Sequence, residues 1–323
     1  MITPALSIPA LSKQTAERLT HAYVCCRDAA WTVVKASGQG LRDYLQGQIT
    51  QDIGRLSADQ GIHACILTPQ GKALCELYII EGLQNELLML TPTFIAEETV
   101  ARLRRFALGY DLRIGIVESL AVWSLQGAAC AQMFKHLDMP PPGDAWLAGS
   151  RHAQKEYLAM TVVENTKAYW LIADANLSIP ASESSIAPVE LEALRIIRGL
   201  PRFGSEWDAS IHPLNVNLID FDGVSFEKGC YVGQEVTSRM HWRGAIKKKL
   251  YRVQLENVAK DFKAELPCPI HSSTPIGELR ALACDQDESF FGIALLPIDT
   301  VLAESPLKLA DGTDIRILEH CHA

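Results

Sequence analysis

Val224-Ser225-Phe226-Glu227-Lys228-Gly229-Cys230-Tyr231-Val232-Gly233-Gln234-Glu235 is the stretch from which the rest of the chain is read. A short apolar run feeds a turn bracketed by two glycines, and the turn presents one cysteine beside one lysine. Glycine has no Cβ, so Gly229 and Gly233 can take left-handed or crowded backbone and bend the chain on either side of Cys230. The thiol is then expected at a corner. Lys228, with Arg239 and His241 further on, brings positive charge that favours a thiolate, while Glu227 and Glu235 oppose it. The competing reading is a buried structural cysteine, since free cysteine prefers interiors.

Upstream, residues 31–36 read as a strand rich in β-branched and aromatic types, broken by Ser37-Gly38-Gln39-Gly40. Leu41, Tyr44 and Leu45 then share one face of a short helix, with Gly47 expected to close it in a left-handed cap. The polar string Tyr44-Leu45-Gln46-Gly47-Gln48-Ile49-Thr50-Gln51-Asp52 suits either a pocket rim, because amides both donate and accept, or a capped helix and turn. Residues 62–67 and 73–80 pair as strands around Pro69-Gln70-Gly71, and a third strand follows at 86–90. A helix over 93–108 places Val100, Leu103 and Ala107 on one face and ends at Gly109. Its Arg102, Arg104 and Arg105 read as a solvated face favoured by the helix dipole.

Strands at 113–118 and 121–125 precede an amphipathic helix marked by Cys130, Met133, Phe134 and Leu137, stopped by Pro140-Pro141-Pro142-Gly143. Strands over 156–163 and 168–173 and a loop through 179–188 follow. The next helix, 189–198, is punctuated by Pro188, Gly199 and Pro201, with Leu191, Leu194 and Ile197 on one face. Beyond Lys247, short strands at 250–255, 275–282, 290–295 and 307–317 suggest a small antiparallel barrel. The class is α+β, in three portions: 1–120, 121–245 and 246–323, the first two able to interleave.

At 323 residues and 48% hydrophobic the chain can bury two or three cores. A formal charge of −8 argues against a general nucleic-acid coat. The first eleven residues hold Pro4 and Pro9 and lack a basic start, so they do not read as a secretory signal, and no apolar run suggests a membrane span. A cytoplasmic protein is expected. The nine cysteines form no C-x-x-C pair, which leaves zinc ribbons and thioredoxin motifs unsupported.

Lys228 to Glu235 reads K-G-C-Y-x-G-Q-E and resembles the signature of the YgfZ family, folate-binding proteins related to the T-protein (aminomethyltransferase) of the glycine cleavage system. The string Leu45 to Asp52 resembles that family's L-Q-G-Q-x-T-x-D hallmark. Arg198-Gly199-Leu200-Pro201-Arg202-Phe203-Gly204 and Pro213-Leu214-Asn215-Val216-Asn217-Leu218 resemble the segments that precede K-G-C-Y. The resemblance implies an aminomethyltransferase-like fold of two α+β portions plus a C-terminal β-barrel, around a central opening that binds tetrahydrofolate or another folate. It implies no stably bound metal. By the same resemblance Cys230 is the reactive thiol with Lys228 as its neighbour. Trp31, Gln46, Gln48, Tyr231, Gln234 and Glu235 are the folate contacts it implies, and a second aromatic of some relatives is replaced here by Leu191 or a neighbour.

The implied function is support of iron–sulfur cluster assembly or repair in client enzymes, such as radical enzymes that thiolate tRNA. One cysteine cannot hold a cluster alone, so partner ligands are required. Where the T-protein carries paired aspartates after its glycine hairpin, this chain has Cys75-Glu76, which departs from aminomethyl transfer. The alternative is a folate-dependent one-carbon transferase with Glu76 as proton acceptor. A third reading is weak tRNA contact through Arg243 and Lys247-Lys248-Lys249. His320-Cys321-His322, at the terminus, reads as an adventitious metal catch.

Overall fold

Burial along residues Trp31–Gln39 alternates between two different cores, and that period of two sets the architecture around the site. The computed structural model describes residues 8–179, 185–244, 246–259, 262, 264–303 and 305–322. They fall into two compact units that interleave in sequence: Glu17–Pro188 with Phe221–Ser238, and the N-terminal residues through Ala16 with Val189–Asp220 and Arg239–His322.

The unit beginning at Glu17 contains most of the helix α1 (Lys13–His21) and two antiparallel sheets. One sheet has the order β3-β4-β5-β2-β6, from Ile62–Leu67 (β3), Ala73–Glu81 (β4), Leu87–Pro92 (β5), Trp31–Gln39 (β2) and Asp111–Ile116 (β6). The other has the order β1-β7-β10-β9-β8, from Val24–Arg27 (β1), Leu120–Gln126 (β7), Ala168–Asp174 (β10), Leu158–Thr161 (β9) and Gly149–Arg151 (β8). Val34, Ala36, Ile66, Cys75, Leu77 and Met89 point outward, to a core shared with α2 (Leu41–Gln46) and α3 (Ala96–Phe106). Trp31, Val33, Tyr78, Ile80 and Leu90 point the other way and meet Val122, Leu158, Met160 and Ile172 of the second sheet. The second sheet's outer face is closed by α4 (Cys130–His136) through Met133 and Phe134. The layers are therefore helix, sheet, sheet, helix.

In the other unit, β11 (Lys248–Glu256), β12 (Cys268–His271), β13 (Pro275–Cys284), β14 (Phe290–Pro297), β15 (Leu307–Leu309) and β16 (Asp314–His320) close into a six-stranded antiparallel barrel. The expected strand over 307–317 is two strands, because Gly312 turns the chain at φ +93°. The barrel is tied off by Asn217. This fully buried residue donates from Nδ2 to the carbonyls of Leu250 and Cys321 (2.9 and 2.6 Å) and accepts the Leu250 amide at 2.7 Å. Helix α5 (Pro188–Ile197) buries Ala193, Leu194 and Ile196, so its apolar face is rotated from the expected Leu191 and Ile197, which are only half-buried. Its polar side carries Arg195, paired with buried Glu206 at 2.7 Å and with Glu192 at 2.6 Å. Gly199 takes the expected left-handed position at φ +69°. Gly47 does not: its φ is −84°, and the left-handed residue of α2 is Gly40, before the helix.

Glu192 couples this unit to pH. Burial alone raises its pKa, but the hydrogen bond and charge of Arg195, with the charge of Arg202, bring it from 4.5 down to about 2. A carboxylate depressed on folding contributes stability that is complete above the unfolded value and is lost as pH falls between 4.5 and about 2. Urea midpoints measured down that acid limb should fall less steeply in Glu192→Gln than in the wild type, and parallel limbs would remove Glu192 from the account.

Candidate functional site

Two motifs almost 180 residues apart are joined backbone to backbone. Thr50 donates its hydroxyl to the Gly223 carbonyl (2.6 Å), its own carbonyl accepts the Ser225 amide (3.0 Å), and the Val232 amide reaches the Gly47 carbonyl (3.3 Å). Gln51 adds a bond from its amide to the Asp222 carbonyl at 2.5 Å, and Arg55 pairs with the Asp222 carboxylate at 2.7 Å. Lys228 closes the junction. Its ammonium is buried and donates to the carbonyls of Ile49 and Gln51 at 2.9 and 2.8 Å, while the Tyr231 ring lies 5.1 Å from it. Burial lowers the Lys228 pKa from 10.5 to about 8, against the pull of Asp52. The charge read from sequence as a neighbour of the thiol is thus spent on backbone carbonyls.

Cys230 follows on the loop and is exposed, the only exposed cysteine of the nine. Of its two flanking glycines, one is required by the structure. Gly233 has φ +86°, and a Cβ there would lie 2.6 Å from the Thr68 carbonyl and 2.9 Å from the Leu67 side chain. Gly233 therefore lets the loop rest directly on the β3–β4 hairpin. Gly229 has no left-handed φ, and a Cβ built on it meets nothing within 4 Å, so the left-handed or crowded backbone expected at both glycines is found only at Gly233. Behind the thiol, Tyr231 is buried with its hydroxyl near Thr237 but directed at no hydrogen-bond partner, and burial pushes its pKa up to about 12. Gln234 starts helix α6 (Gln234–Trp242) and accepts the Tyr231 amide at 3.3 Å; Glu235 is exposed in that helix's first turn.

The two glutamines of the first motif differ. Gln46 is fully spent, donating to Asp52 and accepting the Ile53 amide, both at 2.9 Å, so it fixes the loop. Gln48 is half-buried and no hydrogen bond holds its amide among the described residues. Trp31 lies in the layer between the sheets, 7% exposed, with Tyr78 and Trp170 packed edge-on at 5.3 and 5.1 Å between centroids. The same layer contains a pair of which motif reading singled out only Glu76. His63 Nε2 lies 2.9 Å from Glu76 Oε1, Nδ1 lies 3.1 Å from the Phe221 carbonyl, and the ring stacks on Tyr78 at 4.5 Å. A carbonyl only accepts, so Nδ1 carries a proton and Nε2 faces the Glu76 carboxyl group. Glu76 also accepts from the Tyr78 hydroxyl at 3.3 Å. The signal available in sequence was positional: His63 and Glu76 fall on the inward phase of paired strands, where polar residues need partners.

The remaining sequence candidates lie elsewhere. Lys249 is paired with Asp220 at 2.8 Å, while Lys247, Lys248 and Arg243 are exposed. Cys321 is buried, with its pKa pushed far up by desolvation, and His320 faces Asp220 at 3.5 Å.

Replacing Lys228 with methionine leaves two buried carbonyls unpartnered, which should lower stability by about 2 kcal/mol and speed amide exchange at Ser225 and Val232. Because the lysine pKa is depressed on folding, the unfolded state binds more protons between pH 8 and 10.5, so wild type should gain on Lys228→Met across that window. Urea titrations at rising pH check this; a constant difference would mean the ammonium is not buried.

No family model matches the chain. The tRNA-modifying protein YgfZ of Hamiltonella defensa is 26% identical over 242 residues, covering 73% of this chain and 70% of that protein. YgfZ of Yersinia enterocolitica is 28% identical over 233 residues, 68% of each. Aminomethyltransferase T of the glycine cleavage system from Bartonella henselae superposes with a TM-score of 0.80 at 13% identity, covering 98% of this chain and 90% of that structure. At that identity the likeness is one of fold. The resemblance carried by the motifs is borne out: this chain is similar to the YgfZ proteins and has the fold of the glycine cleavage T-protein.

Proposed function

We propose that this protein binds a folate and, through Cys230, supports iron–sulfur enzymes that modify tRNA by thiolation. The observation that carries the reading is the junction just described, in which a buried lysine locks the cysteine loop onto the glutamine loop and leaves one thiol facing out. The naming of relatives as tRNA-modifying supports the same reading.

The residues present fit a folate in part. Gln48 and Tyr231 keep unspent hydrogen-bonding capacity, and Trp31, Tyr78 and Trp170 supply flat apolar walls of the kind a pterin packs against. Gln46 acts one step back, by holding Asp52 and the Ile53 amide. A folate, when bound, supplies one-carbon carriage. The chain's own part is to orient it and to hold the thiol still. A soft thiolate suits iron, and the client would complete the ligand set.

Tetrahydrofolate should quench tryptophan fluorescence saturably. Gln48→Ala should weaken binding about tenfold, the loss of one hydrogen bond worth about 1.4 kcal/mol. Gln46→Ala should act by lowering the melting temperature first. Binding that survives both Gln48→Ala and Trp31→Ala unchanged would sink the assigned site. In a deletion strain, Cys230→Ala should fail to restore thiolated tRNA, and full restoration would end the role given to the thiol.

One observation favours a second reading. Glu76 is a buried carboxyl group 2.9 Å from His63, a pairing that would suit a proton acceptor. If the protein is such a transferase, turnover of a folate and an amine donor should vanish in Glu76→Gln while tetrahydrofolate still binds; absence of turnover in wild type decides against it.

A further inference from the structure

Helix α3 does not close fully onto its sheet. Between it and the β3–β4 end lies a cavity of about 340 Å³, walled by Ile66, Leu74, Ile95 and Phe106 and reached by Thr99 and Arg102. That volume is at the low end of the ~300–1,000 Å³ of small-molecule sites, and close-packed interiors do not leave such voids by default. Leu74 and Ile95 are only half-buried, and Phe106, 51% exposed, stands at the mouth.

Two polar groups in this apolar space make no well-directed hydrogen bond among the described residues. The Thr99 hydroxyl belongs to a residue 4% exposed and is directed at no partner, although the Cys75 thiol is close by. The Arg102 Nε is buried and also unpartnered. The rest of that guanidinium makes one long bond, to the Leu67 carbonyl at 3.4 Å, and packs over the Phe106 ring at 4.6 Å. No carboxylate pairs with Arg102 or with Arg105, the second cation of the lining, among the described residues, and Glu98 is the lining's one acid. Burying unpaired donors is costly, so the arrangement suits an acceptor that arrives from outside.

We propose that this cavity binds an amphiphilic monocarboxylate, its chain among Ile66, Leu74 and Ile95 and its carboxylate on Arg102 and Thr99. An apolar lining excludes a bare inorganic anion, and the planar guanidinium matches a carboxylate. The Cys75 thiol, held by the Thr91 hydroxyl at 2.9 Å, takes no part. The site is separate from the layer containing Trp31 and Glu76. Ile66 and Cys75 share the outward phase of β3 and β4, whereas His63, Glu76 and Tyr78 lie on the inward phase.

The test uses octanoate as probe and octanol as its uncharged match, on full-length protein with labelled isoleucine and leucine methyls. Octanoate should shift the Ile66, Leu74 and Ile95 methyls saturably and bind about tenfold tighter than octanol, as a charge-assisted hydrogen bond implies. Arg102→Gln should bring octanoate down to the octanol level, Thr99→Val should weaken it, and Leu74→Trp, filling the cavity, should abolish both. Equal affinity for the two probes, or shifts spread over the protein, overturns the proposal, and that comparison needs no variant to fold. Competition between octanoate and tetrahydrofolate also overturns it, since the cavity would then belong to the folate's own carboxylates.

Discussion

The ammonium of Lys228, buried and pointed at the carbonyls of Ile49 and Gln51, is the contact on which the site's geometry depends. Removing a lysine from water is costly, and here burial brings its pKa down from 10.5 to about 8. What offsets the cost is geometric: a loop with no regular ladder presents carbonyls that would otherwise be buried without donors. The lysine supplies two such donors at once and adds an attraction to the Tyr231 ring. A hydrophobic residue would fill the space but leave both carbonyls unmet. The ammonium's hydrogen bonds are thus committed to the two carbonyls, and the neighbouring Cys230 is left exposed to solvent.

Exposure is what separates Cys230 from its counterparts. Burial pushes Cys25 and Cys75 up to about 12 and Cys26 to about 11, which at neutral pH leaves them as small apolar side chains. Cys268 and Cys284 are half-buried and raised as well. A soft ligand or a redox partner approaching from solvent meets one thiol before any other. The turn that presents it is fixed at its far side by Gly233, where backbone rests on backbone, and at its near side by the lysine. Gly229, where a Cβ would meet nothing within 4 Å, adds no such constraint.

Much of this fold is legible in the sequence, for reasons that differ by element. Strands β3, β4 and β10 are long apolar runs bounded by turn residues, and α3 and α5 carry their stops in Gly109 and Gly199. What escaped was short or contradictory. Strand β1 is four residues long, β12 contains Pro269, and β8 reads Gly-Ser-Arg, so none carries a periodic signal of its own; each exists because a neighbouring strand offers a ladder. In the site, the motifs announced that two loops matter but not how they meet. The role of Lys228 depends on carbonyls nearly 180 positions away, which no local pattern encodes.

The pair His63 and Glu76 shows the same limit from the other side. Each residue, alone in its strand, is an unremarkable polar side chain at an inward position. Paired across the antiparallel ladder, where Cys65 opposes Glu76 and His63 opposes Tyr78, they become diagonal neighbours within reach of one hydrogen bond. The register of one hairpin thus decides whether His63 and Glu76 meet in the layer between the sheets. A slip of a single residue would carry Glu76 to the outward face, into the apolar core beneath α3, and would turn Cys75 into the layer between the sheets. The glycine turn at Gly71, φ +76°, and the backbone of Gly233 seated on Leu67 and Thr68 hold that register from its turn end. The cysteine loop, then, helps set the alignment of the strands that carry the carboxylate.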